Sequence, residues 1–192
     1  FDQGGRHYNF AKFLVEEGYE PVIFCATTIH NSSRQVDIGS AHWMEKTDSV
    51  CPYVFVKARP YTGNGKQRVL NMVDFYWGVK KAAREYAKVH GKPDIIYASS
   101  VHPLTLVAGI QIARHFGVKC ICEVRDLWPE GIVAQSHRLT KTNPLVRLLY
   151  RGEKWIYEKA DAMIFTMEGA YDYIREQGWD CAIPKTKVFY IN

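Results

Sequence analysis

Short apolar runs rich in branched residues alternate along this chain with longer segments of helical period, and that alternation narrows the possible folds more than any other feature. Runs at 21–26, 53–57, 95–98, 118–124, 162–166 and 188–191 read as strands, and segments 6–17, 68–90, 103–115, 144–159 and 169–177 read as helices. A parallel strand is reached only through a crossover long enough to hold a helix, so such a series implies βα units. The expected fold class is α/β: a Rossmann-like, doubly wound parallel sheet with helices on both faces. Local punctuation agrees. Gly18 ends the first helix as a C′ residue, Gly117 stops the third, and Asn143-Pro144 supply an N-cap and an N1 proline. Tyr8, Phe10, Ala11, Phe13, Leu14 and Val15 give the first helix a face to bury. One βα unit is incomplete, because the series opens on a loop and helix. In a doubly wound sheet the missing first strand is central, so either a cropped first strand or a repaired sheet is expected. Residues 27–66 are irregular and turn-rich, a length and polarity that usually carries function or wraps the surface.

At 192 residues, 47% hydrophobic and 23% charged, the composition is that of a globular domain with a sizeable core. No apolar stretch reaches the length of a membrane span. Cys25, Cys51, Cys120, Cys122 and Cys181 form no CxxC pair and no ligand spacing with histidine, and three of them sit in strand-like runs. They read as reduced, structural thiols, which implies a cytoplasmic location. A net charge of +5 suits nucleic acid, anionic lipid or a phosphorylated substrate. The chain carries no recognised nucleic-acid module, so no nucleic-acid partner is expected. No GxGxxG follows a strand, which sets aside a nicotinamide-binding domain.

The candidate chemistry gathers at strand ends, where open α/β sheets bind ligands. Gly4-Gly5 opens a helix whose first turn holds Arg6, His7 and Asn9, a setting for an anion or for a plain turn. His102, in Ser99-Ser100-Val101-His102-Pro103, either meets a substrate or merely caps a helix. Arg125 and Asp126, in Glu123-Val124-Arg125-Asp126-Leu127-Trp128-Pro129-Glu130, either bind hydroxyls and phosphate or pair with each other. Glu168 follows a third strand. Three polar strand tips on one rim imply a cleft. Segment 138–159 sets Arg138, Lys141, Arg147, Arg151 and Lys154 among leucines and Trp155. Such a helix either covers the sheet or lies on an anionic membrane, with Arg147, Arg151 and Lys154 as the membrane-facing candidates.

These stretches, GGRHYNFAKFLVEEGYEPVIF, YTGNGKQRVLNMVDF, YASSVHPLTLVAGIQIARHFGVKCICEVRDLWPE and RGEKWIYEKADAMIFTMEGAYDYIREQGW, resemble the N-terminal domain of family-four retaining glycosyltransferases of GT-B fold. Within that family the likeness is to the branch that builds bacterial surface polysaccharides such as lipopolysaccharide O-antigen and capsule. The resemblance implies that residues 1–192 form the acceptor-side domain and that the nucleotide-sugar-binding C-terminal domain is absent. It implies a nucleotide-sugar donor, a polyprenyl-diphosphate-linked saccharide acceptor, retention at the anomeric carbon, no cofactor and no essential metal. By the same resemblance His102 lies near the transferred sugar as the catalytic residue. Gly4 and Gly5 approach donor phosphates or acceptor, and Arg6, Asn9, Arg125, Asp126 and Glu168 bind the acceptor. A second expectation is a non-catalytic subunit that presents acceptor or docks on a membrane and needs a separate donor-binding chain.

Overall fold

The computed structural model describes residues 5–29, 34–63, 65–100, 102–135 and 140–192. Gly4 and Arg138 lie outside them. The chain divides into two compact units, Phe1–His90 and Gly91–Asn192.

The first unit holds α1 (Arg6–Glu16), β1 (Ile23–Ala26), β2 (Trp43–Lys46), β3 (Tyr53–Val56) and α2 (Lys66–His90). Its sheet has the order β1-β3-β2, with β1 parallel and β2 antiparallel to β3. β3, the central strand of the three, is the one with a fully buried run, Val54 to Val56, because both its neighbours and α2 cover it. Helix α2 comes close because Gly78 has no side chain: a Cβ there would stand 2.6 Å from Val56 Cγ1. Helix α1 departs from expectation. Only Ala11 is buried, while Phe13, Leu14 and Val15 are exposed. An apolar face is buried only where a partner element meets it, and α1 makes few contacts with any strand.

The second unit runs β4 (Ile95–Ser99), α3 (Pro103–Phe116), β5 (Lys119–Val124), α4 (Trp128–Gln135), α5 (Pro144–Lys159), β6 (Ala162–Phe165), α6 (Ala170–Glu176), a 3-10 turn at Lys185–Lys187 and β7 (Val188–Tyr190). All strands are parallel, in the order β4-β5-β6-β7. Period-two alternation on β5 sends Cys120, Cys122 and Val124 into one cluster with Met163 and Phe165 of β6, Ile110 of α3, and Val146, Ile156 and Tyr157 of α5. Each Val, Ile, Met or Phe side chain among them contributes about 1.5–3 kcal/mol on burial. Gly109 lets α3 lie against β4, since any Cβ there would run into Ala98. Asn143 caps α5 by accepting from Leu145 N at 2.9 Å, ahead of Pro144 at the helix start.

The α/β class and the parallel strands stand, yet the strands form two sheets. The expected central strand has no counterpart among the described residues; β1 ends the sheet of the first unit and β4 ends that of the second. All five cysteines are free thiols. No helix among the described residues is long and apolar enough to cross a membrane.

Candidate functional site at the carboxyl rim of the second unit

Because β4, β5 and β6 are parallel, their carboxyl ends reach one edge of the sheet. The turns that leave them are stitched together. Ser100 N donates to Glu123 O at 2.9 Å, Arg125 N donates to Ser100 Oγ at 3.0 Å, and Thr166 N donates to Val124 O at 3.3 Å. The structure thus brings the segments carrying His102, Arg125, Asp126 and Glu168 to one rim, as the strand series required.

The side chains are displayed unequally. Arg125, Asp126 and Glu168 are exposed. Among the described residues no ion pair joins Arg125 to Asp126, so that alternative is set aside. His102 occupies the N-cap of α3 with extended backbone (φ −159°), and its side chain makes no capping bond. Its ring is withdrawn instead, 8% exposed, with Thr105 Oγ1 at 3.4–3.5 Å from its nitrogens. The expectation that all four side chains line one open hollow therefore needs correcting at His102. A hollow of about 500 Å³, lined by Asp94, Arg114, Lys119, Lys159 and Asp161 among others, lies at the opposite edge where the strands begin. The Lys119–Asp161 ion pair at 2.7 Å lies within that lining.

Glu123 is the rim residue that sequence reasoning passed over. It is 0% exposed and accepts from Ser99 Oγ at 2.5 Å, across the registered pair Ser99↔Glu123. A buried carboxylate that takes a hydroxyl donor ties two strand ends firmly. Its signal was one acid inside the apolar run Cys120–Val124, where four of the five residues are buried.

Among the remaining candidates, Gly5 is the N-cap of α1 with φ 100°, a conformation that favours glycine. Arg6 lays its guanidinium over the Phe10 ring at 4.6 Å, and Asn9 is exposed. These three residues belong to the first unit. On α5, Arg147 and Arg151 are exposed beside exposed Leu145 and Leu148. Lys154 is half-exposed and stands 3.8 Å from Glu158, so part of its charge is answered within the helix.

A parallel sheet whose carboxyl rim presents polar turns is the plan of a ligand-binding α/β domain. The glycosyl transferase 4-like domain model matches residues 5–191, and the chain belongs to that family. No curated protein matches it significantly. Sucrose-phosphate synthase of Thermosynechococcus elongatus is similar in structure, with TM-score 0.59 and 16% identity over 98% of this chain and 84% of that one. A UGT transferase of Siraitia grosvenorii in complex with UDP has TM-score 0.50 and 10% identity over 96% of this chain and 47% of that one. LpCGTa in complex with UDP has TM-score 0.50 and 11% identity over 98% of this chain and 52% of that one. The chain thus spans about half the length of these two transferases.

Proposed function

We propose that this chain is the acceptor-side part of a retaining glycosyltransferase that moves a sugar from a nucleotide-sugar to a polyprenyl-diphosphate-linked saccharide in surface-polysaccharide assembly. The observation that carries this reading is the stitched rim of β4, β5 and β6, found in a chain that belongs to a glycosyltransferase family. Arg125 and Asp126 bind acceptor hydroxyls or phosphate, and Glu168 adds an acceptor from the next strand end. Arg6, Asn9 and the Gly4-Gly5 turn serve the acceptor or the donor phosphates. His102 hydrogen-bonds the transferring sugar and is not the sole base, because retention requires no base opposite the leaving group. The chemistry needs no cofactor or metal, and it takes place in the cytoplasm at the membrane face. The UDP held by two structurally similar transferases supports a nucleotide-sugar donor. The exposed Arg147 and Arg151 beside Leu145 and Leu148 support membrane contact through α5.

A donor and acceptor screen on the complete open reading frame tests the reading. His102→Ala in that protein is expected to lower the turnover number at least about 100-fold with circular dichroism unchanged, the scale of a lost transition-state hydrogen bond. Turnover near the parent value removes His102 from the reaction.

A further inference from the structure

Helices α3 and α5 both end over the amino edge of the second unit's sheet, and the turns that follow them line the hollow of about 500 Å³. That volume suits a small-molecule ligand. Its buried lining is apolar, with Ile110, Ala113 and Cys120. Every exposed side chain around it is charged: Arg114, Lys119 and Lys159 against Asp94 and Asp161. These groups are unequally committed. Asp161 is saturated, because Oδ1 accepts from Lys119 Nζ at 2.7 Å and Oδ2 accepts from Cys120 N at 2.9 Å. Among the described residues the Asp94 and Lys159 side chains have no hydrogen bond or ion pair, and Arg114 has only the Trp155 ring, 5.5 Å from its guanidinium carbon. Lysines crowd this corner. Lys187 donates to Glu158 O at 2.9 Å; burial pushes its ammonium down, Asp161 pulls it up, and the Lys159 charge adds to the fall.

Two uncommitted cations and one uncommitted carboxylate define the complementary ligand. The carbonyl end of a helix answers part of a nearby positive charge, but the carbonyls here are already engaged: Val118 N donates to Ala113 O at 3.0 Å and Ala160 N to Ile156 O at 2.9 Å. A guanidinium and an ammonium together favour a doubly charged phosphate. Asp94 can only accept, so the same ligand must bring a donor, and a hydroxyl supplies one. A free amino acid would meet Asp94 with its ammonium, yet its single carboxylate leaves one cation unanswered. We infer that this hollow binds a small phosphate ester that carries hydroxyl groups, its phosphate held by Arg114 and Lys159 and a hydroxyl donating to Asp94. The hollow lies at the opposite edge of the sheet from Arg125 and Asp126, so this inference stands apart from what the carboxyl rim binds.

Isothermal titration calorimetry of the 192-residue chain with glycerol 3-phosphate, inorganic phosphate and glycerol is the test. Glycerol 3-phosphate is expected to bind, inorganic phosphate to bind more weakly, and glycerol not to bind. R114A/K159A is expected to raise Kd at least about tenfold for both phosphate compounds, the scale of a lost charge-assisted hydrogen bond. K159A alone, at a side chain with no bond to lose, is expected to act in the same direction. D94A should weaken glycerol 3-phosphate about tenfold and leave inorganic phosphate as tight as before or tighter. Every substituted residue is exposed, and far-UV circular dichroism verifies the fold. Four results overturn the inference: a parent that binds neither phosphate compound, R114A/K159A and K159A variants that bind like the parent, a D94A variant that treats the two compounds alike, and loss of binding confined to R125A. The last result would place the phosphate at the carboxyl rim and reject the hollow.

Discussion

Glu153 joins α5 to α6 from the inside. It is 8% exposed and accepts hydroxyl protons from Tyr157 at 2.8 Å and from Tyr173 at 2.6 Å. Glu153→Ala leaves two phenols without an acceptor in a site closed to water. A buried hydroxyl that loses its partner costs about 1–3 kcal/mol, so the pair sets a loss of about 2–6 kcal/mol before any cavity is counted. Against the about 5–15 kcal/mol that holds a domain folded, that loss is severe. Glu153→Gln keeps an acceptor and should cost about 1 kcal/mol. The triple change Glu153→Leu, Tyr157→Phe, Tyr173→Phe removes every polar partner at once and should recover most of the alanine deficit. Burial pushes the Glu153 carboxyl up, against the opposing pull of the two tyrosine hydrogen bonds. A carboxyl raised in the folded state contributes stability that is complete below its unfolded pKa and is lost as pH rises through the folded one. The parent should therefore lose ground to Glu153→Gln as pH climbs from the ordinary carboxylate range through the raised value. Urea unfolding followed by near-UV circular dichroism, where Tyr157, Tyr173 and Trp179 stand edge to face, reads both effects. An alanine variant within 1 kcal/mol of the parent, or a parent that gains on the glutamine variant with rising pH, refutes the reasoning.

Two further outcomes follow from backbone features. Gly109→Val should destabilise the second unit by at least about 1–3 kcal/mol, because its side chain meets Ala98 and the sheet cannot yield without loss elsewhere; a chemical denaturation midpoint equal to the parent's would show that α3 shifts freely. Asn143→Ala should cost about 1 kcal/mol through the lost bond to Leu145 N, and Asn143→Asp should restore most of it, as read by thermal unfolding.

The α/β class was legible because strand and helix periods alternate, and the helices with clear end signals came through closely. Pro103 with Gly117 bounds α3, and Asn143-Pro144 opens α5. β2 was missed, since Trp43–Lys46 pairs two apolar with two charged residues and alternates neither way. α4 was missed because Pro129 and Gly131 read as loop, although a proline in the first turn is tolerated. Sharing of one rim by His102, Arg125, Asp126 and Glu168 followed from parallel strands alone. Burial of individual groups did not. The withdrawal of His102, the sealing of Glu123 and Glu153, and the exposure of Phe13 are set by which elements meet, and a linear pattern carries no record of that.

The place of β4 at the end of its sheet has a practical meaning for anyone handling this polypeptide in a tube. Ile95 is 51% and Tyr97 38% exposed on this strand, whose ladder of amide groups is unclosed on one side among the described residues. Such a border recruits other extended chains. Concentrated solutions should thicken by border-to-border stacking sooner than by melting, and a lysine written in at position 95 is the natural remedy.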